Sequence, residues 1–287
     1  LRPKRFTDYV GQERIKETLS ITIKAAKQRS ESLDHTLLYG PPGLGKTTLA
    51  HVISNEMKSS IKVTSGPAIE KAGDLVSILT RLQKGDILFI DEIHRLNKIS
   101  EEVLYSAMEE YRVSWVIEQG LKARSVNLGI QPFTLVGATT KFGMLSAPLR
   151  DRFGSVYRLN FYSDSEMADI LYRSTKILKI NSDSEGIKEI AIRSRKTPRI
   201  ANRLLRRVRD FSEVQSDGKI NVNIVKKALD QLEVDNLGLD KIDVELLESL
   251  VKKFDGGPVG LQTLAASISE DPNTCLLYTS PSPRDRG

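Results

Sequence analysis

The fold of this 287-residue chain is read from the stretch Thr36-Leu37-Leu38-Tyr39-Gly40-Pro41-Pro42-Gly43-Leu44-Gly45-Lys46-Thr47-Thr48-Leu49-Ala50. A short apolar run, the pattern of a buried strand over Thr36–Tyr39, enters a glycine-rich loop, and a helical pattern follows through Ile53. Residues 40–47 fit the Walker A pattern in the strand–loop–helix setting it requires. Glycines such as Gly43 and Gly45 carry no Cβ, so the backbone can curl until successive N–H groups face phosphate oxygens. The positive end of the following helix adds to that attraction. In this pattern Lys46 reaches the β- and γ-phosphates of a nucleotide, and the Thr47 hydroxyl ligates Mg²⁺.

Downstream, Ile87-Leu88-Phe89-Ile90-Asp91-Glu92-Ile93-His94 is a continuous apolar run ending in two acids. A strand buried on both faces reads this way. After a phosphate loop, such a pair supplies Asp91 to hold Mg²⁺ and Glu92 to activate the attacking water. His94 is expected to be structural rather than catalytic. Lys62–Thr64 and Phe133–Ala138 complete a set of short strands alternating with helical patterns, which predicts a parallel sheet with crossover helices. Between Arg112 and Leu128 the periodicity changes to alternation around Val113, Trp115 and Ile117 with a turn at Gly120, the pattern of an inserted β-hairpin. Trp115 there either contacts a partner or packs on its own domain.

From about Asp164 the pattern is helical. Glu166–Leu178, Ser184–Arg193, Pro198–Val214 and Val222–Leu232 are separated by polar or glycine-containing turns and make a small lid. Near Gly238 a third segment begins, with apolar faces through Ile242–Phe254 and Leu261–Ile268 around Gly256-Gly257-Pro258-Val259-Gly260, which is suited to opening a winged helix. The basic run Arg193, Arg195, Lys196, Arg199, Arg203, Arg206, Arg207 and Arg209 is spread around its helices and reads as a solvated lid face rather than a DNA-binding stripe.

Composition sets the outer bounds. The chain is 39% hydrophobic and 28% charged, with a mild basic excess of +6. No stretch approaches the ~20 apolar residues of a membrane helix. The N-terminus LRPKRFTDYV has basic residues but no apolar run behind them, unlike a secretory leader, and the lack of an initiating Met reads as a missing start. Cys275 is the single cysteine, so no intramolecular disulfide can form, and a reducing cytoplasmic setting fits. The stretch from Cys275 to Gly287 has no periodicity. It reads as an in-frame translation of a sequencing-library adapter, the rival being a Pro/Ser-rich disordered terminus.

The phrases GPPGLGKTTLA, SGPAIEKAGDL, LFIDEIHRL, GATTKFGMLSAPLRDRFG and TPRIANRLLRRVRD follow one another in the order of AAA+ ATPases. Over about residues 1–270 the chain resembles the RuvB family of branch-migration motors. The resemblance implies an α/β P-loop NTPase core over 1–160 and a helical lid over 161–236. It also implies the start of a winged helix over 237–274, leaving 275–287 as the foreign tail. It makes Thr140 the sensor-1 residue reading the γ-phosphate, Arg152 the arginine finger acting on a neighbouring subunit's site, and Arg199 sensor 2. From the residues alone, Arg150 rivals Arg152. The family's nucleotide contacts map onto Leu1, Arg2, Gly43, Thr48, Glu109, Glu110, Tyr111 and Tyr162. Lys141 stands where the family usually has Arg. ATP with Mg²⁺ is then the expected ligand, held between the first two domains. The expected assembly is a cytoplasmic hexameric ring acting with RuvA on the DNA arms of four-way junctions, with no membrane involvement. The contact with RuvA is expected at the 112–128 hairpin. A clamp-loader-like switch and a non-enzymatic nucleotide-binding module are the rival readings.

Overall fold

In the computed structural model the described residues are 1–116 and 125–271. They form two compact units, one comprising Leu1–Ile170 with Thr197–Arg199, the other Leu171–Lys196 with the chain from Ile200 onward. The expected Ile117 and Gly120 of the hairpin tip, and the 275–287 tail, lie outside the described residues.

The first unit is built on strands β1 (Thr36–Tyr39), β2 (Ile61–Ser65), β3 (Ile87–Asp91), β4 (Arg112–Val116), β5 (Ser125–Gly129), β6 (Thr134–Thr139) and β7 (Ser155–Arg158). Five of them form a sheet in the order β2-β3-β6-β1-β7, and every pairing in it is parallel. The register sets Thr36 opposite Val136, Ile87 opposite Thr134 and Leu37 opposite Val156. Helices α1 (Glu13–Arg29), α2 (Lys46–Met57), α3 (Ala72–Leu79), α4 (Lys98–Glu110) and α5 (Ala147–Asp151) occupy the crossovers and flanks.

The central strands carry apolar residues on both faces because both are covered. On one face Leu88 and Ile90 of β3 join Leu37, Leu75, Leu79, Leu104 and Met108 in a single core, while Phe89, on the opposite side of the pleat, is also fully buried. The edge strands differ. Val63 of β2 is 54% exposed and Val156 of β7 is 42% exposed, and β7 has no apolar run by which the sequence would announce it. β4 and β5 form the expected antiparallel hairpin, with Arg112 opposite Gly129 and Trp115 opposite Val126, and the Ile130 N–H closes its base on the Tyr111 carbonyl.

The path of the chain through the sheet locates the site. From β1 it passes to the far edge, β2, and returns through β3 and β6; from β6 it passes to the other edge, β7. The connections therefore diverge around β1 and β6, and ligands of open parallel sheets bind outside the carboxyl ends of the strands at such a switch point.

Helix α6 (Asp164–Leu178) spans the divide between the units, and the second unit continues with α7 (Ser184–Ile192), α8 (Pro198–Gln215), α9 (Val222–Gln231), α10 (Lys241–Phe254) and α11 (Leu261–Ser267). Side chains cap three of these helices at the N-terminus: Asp183 accepts from Gly186 N, Asn221 from Ile224 N, and Asp240 from Asp243 N. Leu246, Leu264 and Ala265 bury a small core joined by Ile242, Phe254 and Val259. The basic run is not uniformly a solvated face. Arg193 is 2% exposed and binds Glu189, the Val234 carbonyl and Asn236. Arg195 pairs with Asp243 at 2.7 Å. Those two arginines tie the unit together internally, which helical spacing alone does not reveal.

Phe89 is fully buried at the centre of the sheet, so Phe89→Ala should destabilise the first unit by about 3–5 kcal/mol. Urea unfolding followed by a probe in that unit measures this. A loss under about 1 kcal/mol would place Phe89 outside the core.

Candidate functional site

The loop after β1 turns sharply enough that Gly43 and Gly45 have φ of +82° and +100°. At Gly43 a Cβ would press on Thr197 Cγ2 at 2.7 Å and Arg199 Cβ at 3.1 Å. At Gly45, the N-cap of α2, it would press on Tyr9 Oη at 2.8 Å. Both positions need glycine for conformation and for space.

The curled loop closes on the first residue of α2. Lys46 is 7% exposed, and its Nζ donates to the carbonyls of Gly40 at 2.7 Å and Pro41 at 2.9 Å. Burial pushes its pKa down to about 8; Asp91 and Glu92 oppose that shift and Arg199 adds to it. Next to it, Thr47 Oγ1 donates to Asp91 Oδ2 at 3.2 Å. Two hard oxygens thus converge beside the phosphate loop. Among the described residues no group of three or more His, Cys, Asp or Glu side chains is assembled to hold a metal. This pairing suits Mg²⁺, which takes one or two protein ligands and completes its shell with water and phosphate.

Glu92 follows Asp91 in the left-handed region, at φ +48°, a conformation that costs a non-glycine residue energy. Its N–H donates to Asp91 Oδ1 at 3.0 Å and its carbonyl accepts from Arg95 N at 2.9 Å. Opposite, after β6, Thr140 Oγ1 lies 3.4 and 3.5 Å from the two Glu92 carboxylate oxygens. His94, its side chain 3% exposed, is within 2.8 Å of Thr139 Oγ1 through Nδ1 and 3.5 Å of Glu92 Oε2 through Nε2. Burial lowers its pKa, against the opposing pull of Glu92. A ring so placed supports the Glu92 carboxylate from the side.

Beneath the loop are two tyrosines. Tyr162, 3% exposed, donates to the Leu44 carbonyl at 3.1 Å and lies 3.3 Å from the hydroxyl of Tyr9, 4% exposed. Burial raises the pKa of both phenols. Tyr9 is a residue that sequence reasoning passed over: it carries no motif, and its partner is 153 residues away.

The site residues expected from the sequence therefore fall into groups. Lys46, Thr47, Asp91, Glu92 and Thr140 come together at the carboxyl ends of β1, β3 and β6. Thr48 follows them on α2. Arg199 lies against the space that a Cβ on Gly43 would fill, and its charge acts on Lys46. Arg2 is exposed and its charge lowers the pKa of His51 on α2, after burial as the larger cause; Leu1 is half-buried. Arg152 and Glu109 pair with each other at 3.1 Å. Glu110 is exposed, and half-buried Tyr111 meets Phe133 edge-on with ring centres 6.3 Å apart.

The depressed pKa of Lys46 makes ligand binding pH-dependent. With the free amine lowered to about 8, an incoming anionic phosphate should favour its protonated form. Nucleotide binding should take up a proton above about pH 8, and affinity should fall as the pH rises through that value. Calorimetry in buffers of different ionisation enthalpy reads this directly. Proton-neutral binding from about pH 7 to about pH 9 would show that the amine is fully charged when free.

Three family models match in succession. "Holliday junction DNA helicase RuvB P-loop domain" matches residues 1–159, "RuvB AAA lid domain" 162–235, and "RuvB C-terminal winged helix domain" 236–281. The "Holliday junction branch migration complex subunit RuvB" of Dehalococcoides mccartyi (strain CBDB1) is 56% identical over 281 residues, which cover 98% of this chain and 80% of that protein. Among solved structures, a point mutant of Thermotoga maritima RuvB superposes with a TM-score of 0.87 at 48% identity, over 98% of this chain and 90% of that one. The Thermotoga maritima RuvB Holliday junction branch migration motor gives 0.85 at 48% identity, over 98% and 89%. With a P-loop, lid and winged-helix match along its length and a parallel sheet that carries Lys46, Asp91 and Glu92 at its strand ends, the chain belongs to the RuvB family of AAA+ P-loop ATPases.

Proposed function

We propose that the site hydrolyses ATP with Mg²⁺ and that the chain uses this hydrolysis to drive branch migration of Holliday junctions. The convergence of Lys46, Thr47, Asp91, Glu92 and Thr140 at three adjacent strand ends carries the reading. Lys46 holds the β- and γ-phosphates, with Gly43, Gly45 and Thr48 supplying the loop and helix start. Thr47 and Asp91 hold Mg²⁺, which when bound screens the phosphate charge. Glu92 takes the proton of the attacking water. It is oriented for this by Thr140 on one side and His94 on the other, and Thr140 is placed to sense the γ-phosphate.

Leu1, Arg2 and Tyr162 complete the nucleotide contacts, and Arg199 reports occupancy to the helical domain. Glu109, Glu110 and Tyr111 are further nucleotide contacts, and Arg152 serves the site of a neighbouring subunit. Its side chain is only 23% exposed and pairs with Glu109 rather than with the Lys46 group, which favours action in trans. The domains run over 1–160, 161–236 and 237–274.

The working form is a cytoplasmic hexameric ring acting on the arms of a four-way DNA junction with RuvA. Among the described residues no helix is long and apolar enough to cross a membrane. RuvA is met by the 112–128 hairpin. Replacing Trp115 and Ile117 by Ala should then abolish stimulation by RuvA while basal ATP hydrolysis persists, and retained RuvA binding would rule the hairpin out.

ATP-driven migration of a synthetic four-way junction, with and without RuvA, tests the whole reading. Glu92→Gln and Arg152→Ala should each lower kcat by about 10³-fold or more with nucleotide binding retained. Hydrolysis without migration would instead indicate a loader-like switch.

A further inference from the structure

Arg152 sits at the C-cap of α5, and its guanidinium lies over the ring of Tyr105, 4.5 Å from the centroid. It also donates to the Pro148 carbonyl at 2.8 Å and pairs with Glu109 at 3.1 Å. Its Nε is buried with no hydrogen-bond partner, as expected of a group held by its flat face rather than its edge. Glu109 is 56% exposed, so that ion pair is screened and easily exchanged.

The ring beneath is itself fixed. Tyr105 donates to Glu101 Oε2 at 3.0 Å and lies 3.1 Å from Ser146 Oγ; Ser146 donates to the same Glu101 oxygen at 2.8 Å and accepts from Leu149 N. Glu101 is 9% exposed. A buried carboxylate on α4 thus binds both the platform and the N-cap of the short helix that carries Arg152. Arg150 has a looser counterpart, 5.5 Å from the ring centre of Phe142.

From this geometry we infer that Tyr105 is a positioning residue for Arg152, holding the guanidinium oriented by its ring face while leaving the charge uncancelled. The inference rests on the reading of Arg152 as a finger acting in trans. When an anionic phosphate arrives, the exposed Glu109 carboxylate is the contact that gives way. The Tyr105 face and the Pro148 carbonyl remain, because neither neutralises the cation. A cation already aimed avoids the loss that follows misplacement of a catalytic group by about 1 Å, on the order of 10²-fold in rate.

Mixed assemblies separate this inference from the finger assignment. One chain, Arg152→Ala, has an intact site and no finger; the other, Glu92→Gln, has an intact finger and no general base. Each alone should be inactive, and their mixture should regain ATP hydrolysis at the interfaces that pair a good site with a good finger. If the mixture stays inactive, or if Arg152→Ala hydrolyses ATP alone, the finger reading falls and the inference with it.

Given an active mixture, Tyr105→Leu is added to one chain at a time. In the Glu92→Gln chain it should lower the recovered kcat by about tenfold or more, with KM little changed. In the Arg152→Ala chain, which has no finger to aim, recovered activity should persist. Tyr105→Phe, which keeps the ring and loses the Glu101 bond, should restore most of the rate in the finger-bearing chain. Equal losses from both placements of Tyr105→Leu would mark Tyr105 as a general packing residue and overturn the proposal, as would no loss from either.

Discussion

The nucleotide face depends on keeping one ammonium dry and still chargeable. Lys46 is 7% exposed, and removing such a cation from water costs several kcal/mol unless polar groups replace the lost hydration. Here they are the carbonyls of its own loop, Gly40 and Pro41. Those carbonyls reach Nζ only if the loop is tightly wound, which calls for glycine at positive φ. A tight loop in turn needs something firm behind it. The Tyr9 hydroxyl fills the space beside Gly45 and Tyr162 binds the Leu44 carbonyl, so two buried phenols from distant parts of the chain set the loop's height. Gln12 links the same layer, its amide donating to Asn160 O at 2.7 Å and accepting from Asn160 N.

The acids need a different constraint, which the order of the strands supplies. With β6 between β1 and β3, Thr47 meets Asp91 across 44 residues of sequence and Thr140 meets Glu92 across 48. The turn after Asp91 aims Glu92 by holding it at positive φ, and its surroundings leave it little choice. A Cβ on Gly66, after β2, would collide with the Glu92 carbonyl. Three consecutive strand ends therefore act as a jig in which Thr47 and Asp91, and Thr140 and Glu92, are located against each other from the ends of different strands.

What the sequence reveals follows from this division. Strands buried on both faces read clearly, and Ile87–Ile90 lies inside β3. The hairpin is legible because its apolar residues alternate along the sequence, and the lid helices because their periodicity and capping residues are local; the ends of the lid helices agree within a residue or two. β7 is not legible, since an edge strand that exposes Val156 has no apolar run to betray it. Of the site, Lys46, Thr47, Asp91 and Glu92 stand in motifs that their chemistry imposes. Tyr9, Tyr105 and the buried role of Arg193 depend on tertiary neighbours that no spacing rule encodes. Arg193 looks in sequence like one more solvated arginine, yet it binds Glu189, Val234 and Asn236 together.

The distribution of cations gives the proposed trans arrangement a physical reason. Burial, with a smaller contribution from Arg199, depresses Lys46 to about 8 against the opposing pull of Asp91 and Glu92. A third permanent cation in the same empty site would drive Lys46 further toward its neutral form and weaken the grip on phosphate that the loop is built to provide. Keeping Arg152 over Tyr105 and beside Glu109, away from that balance, leaves Lys46 chargeable while the site is empty. In the proposed arrangement a neighbouring subunit then brings the extra positive charge to a site that already holds the phosphates. There it meets several negative charges and no longer competes with Lys46 for protonation. On this view the dependence of hydrolysis on assembly follows from the electrostatics of an empty phosphate loop, which can hold only so much positive charge.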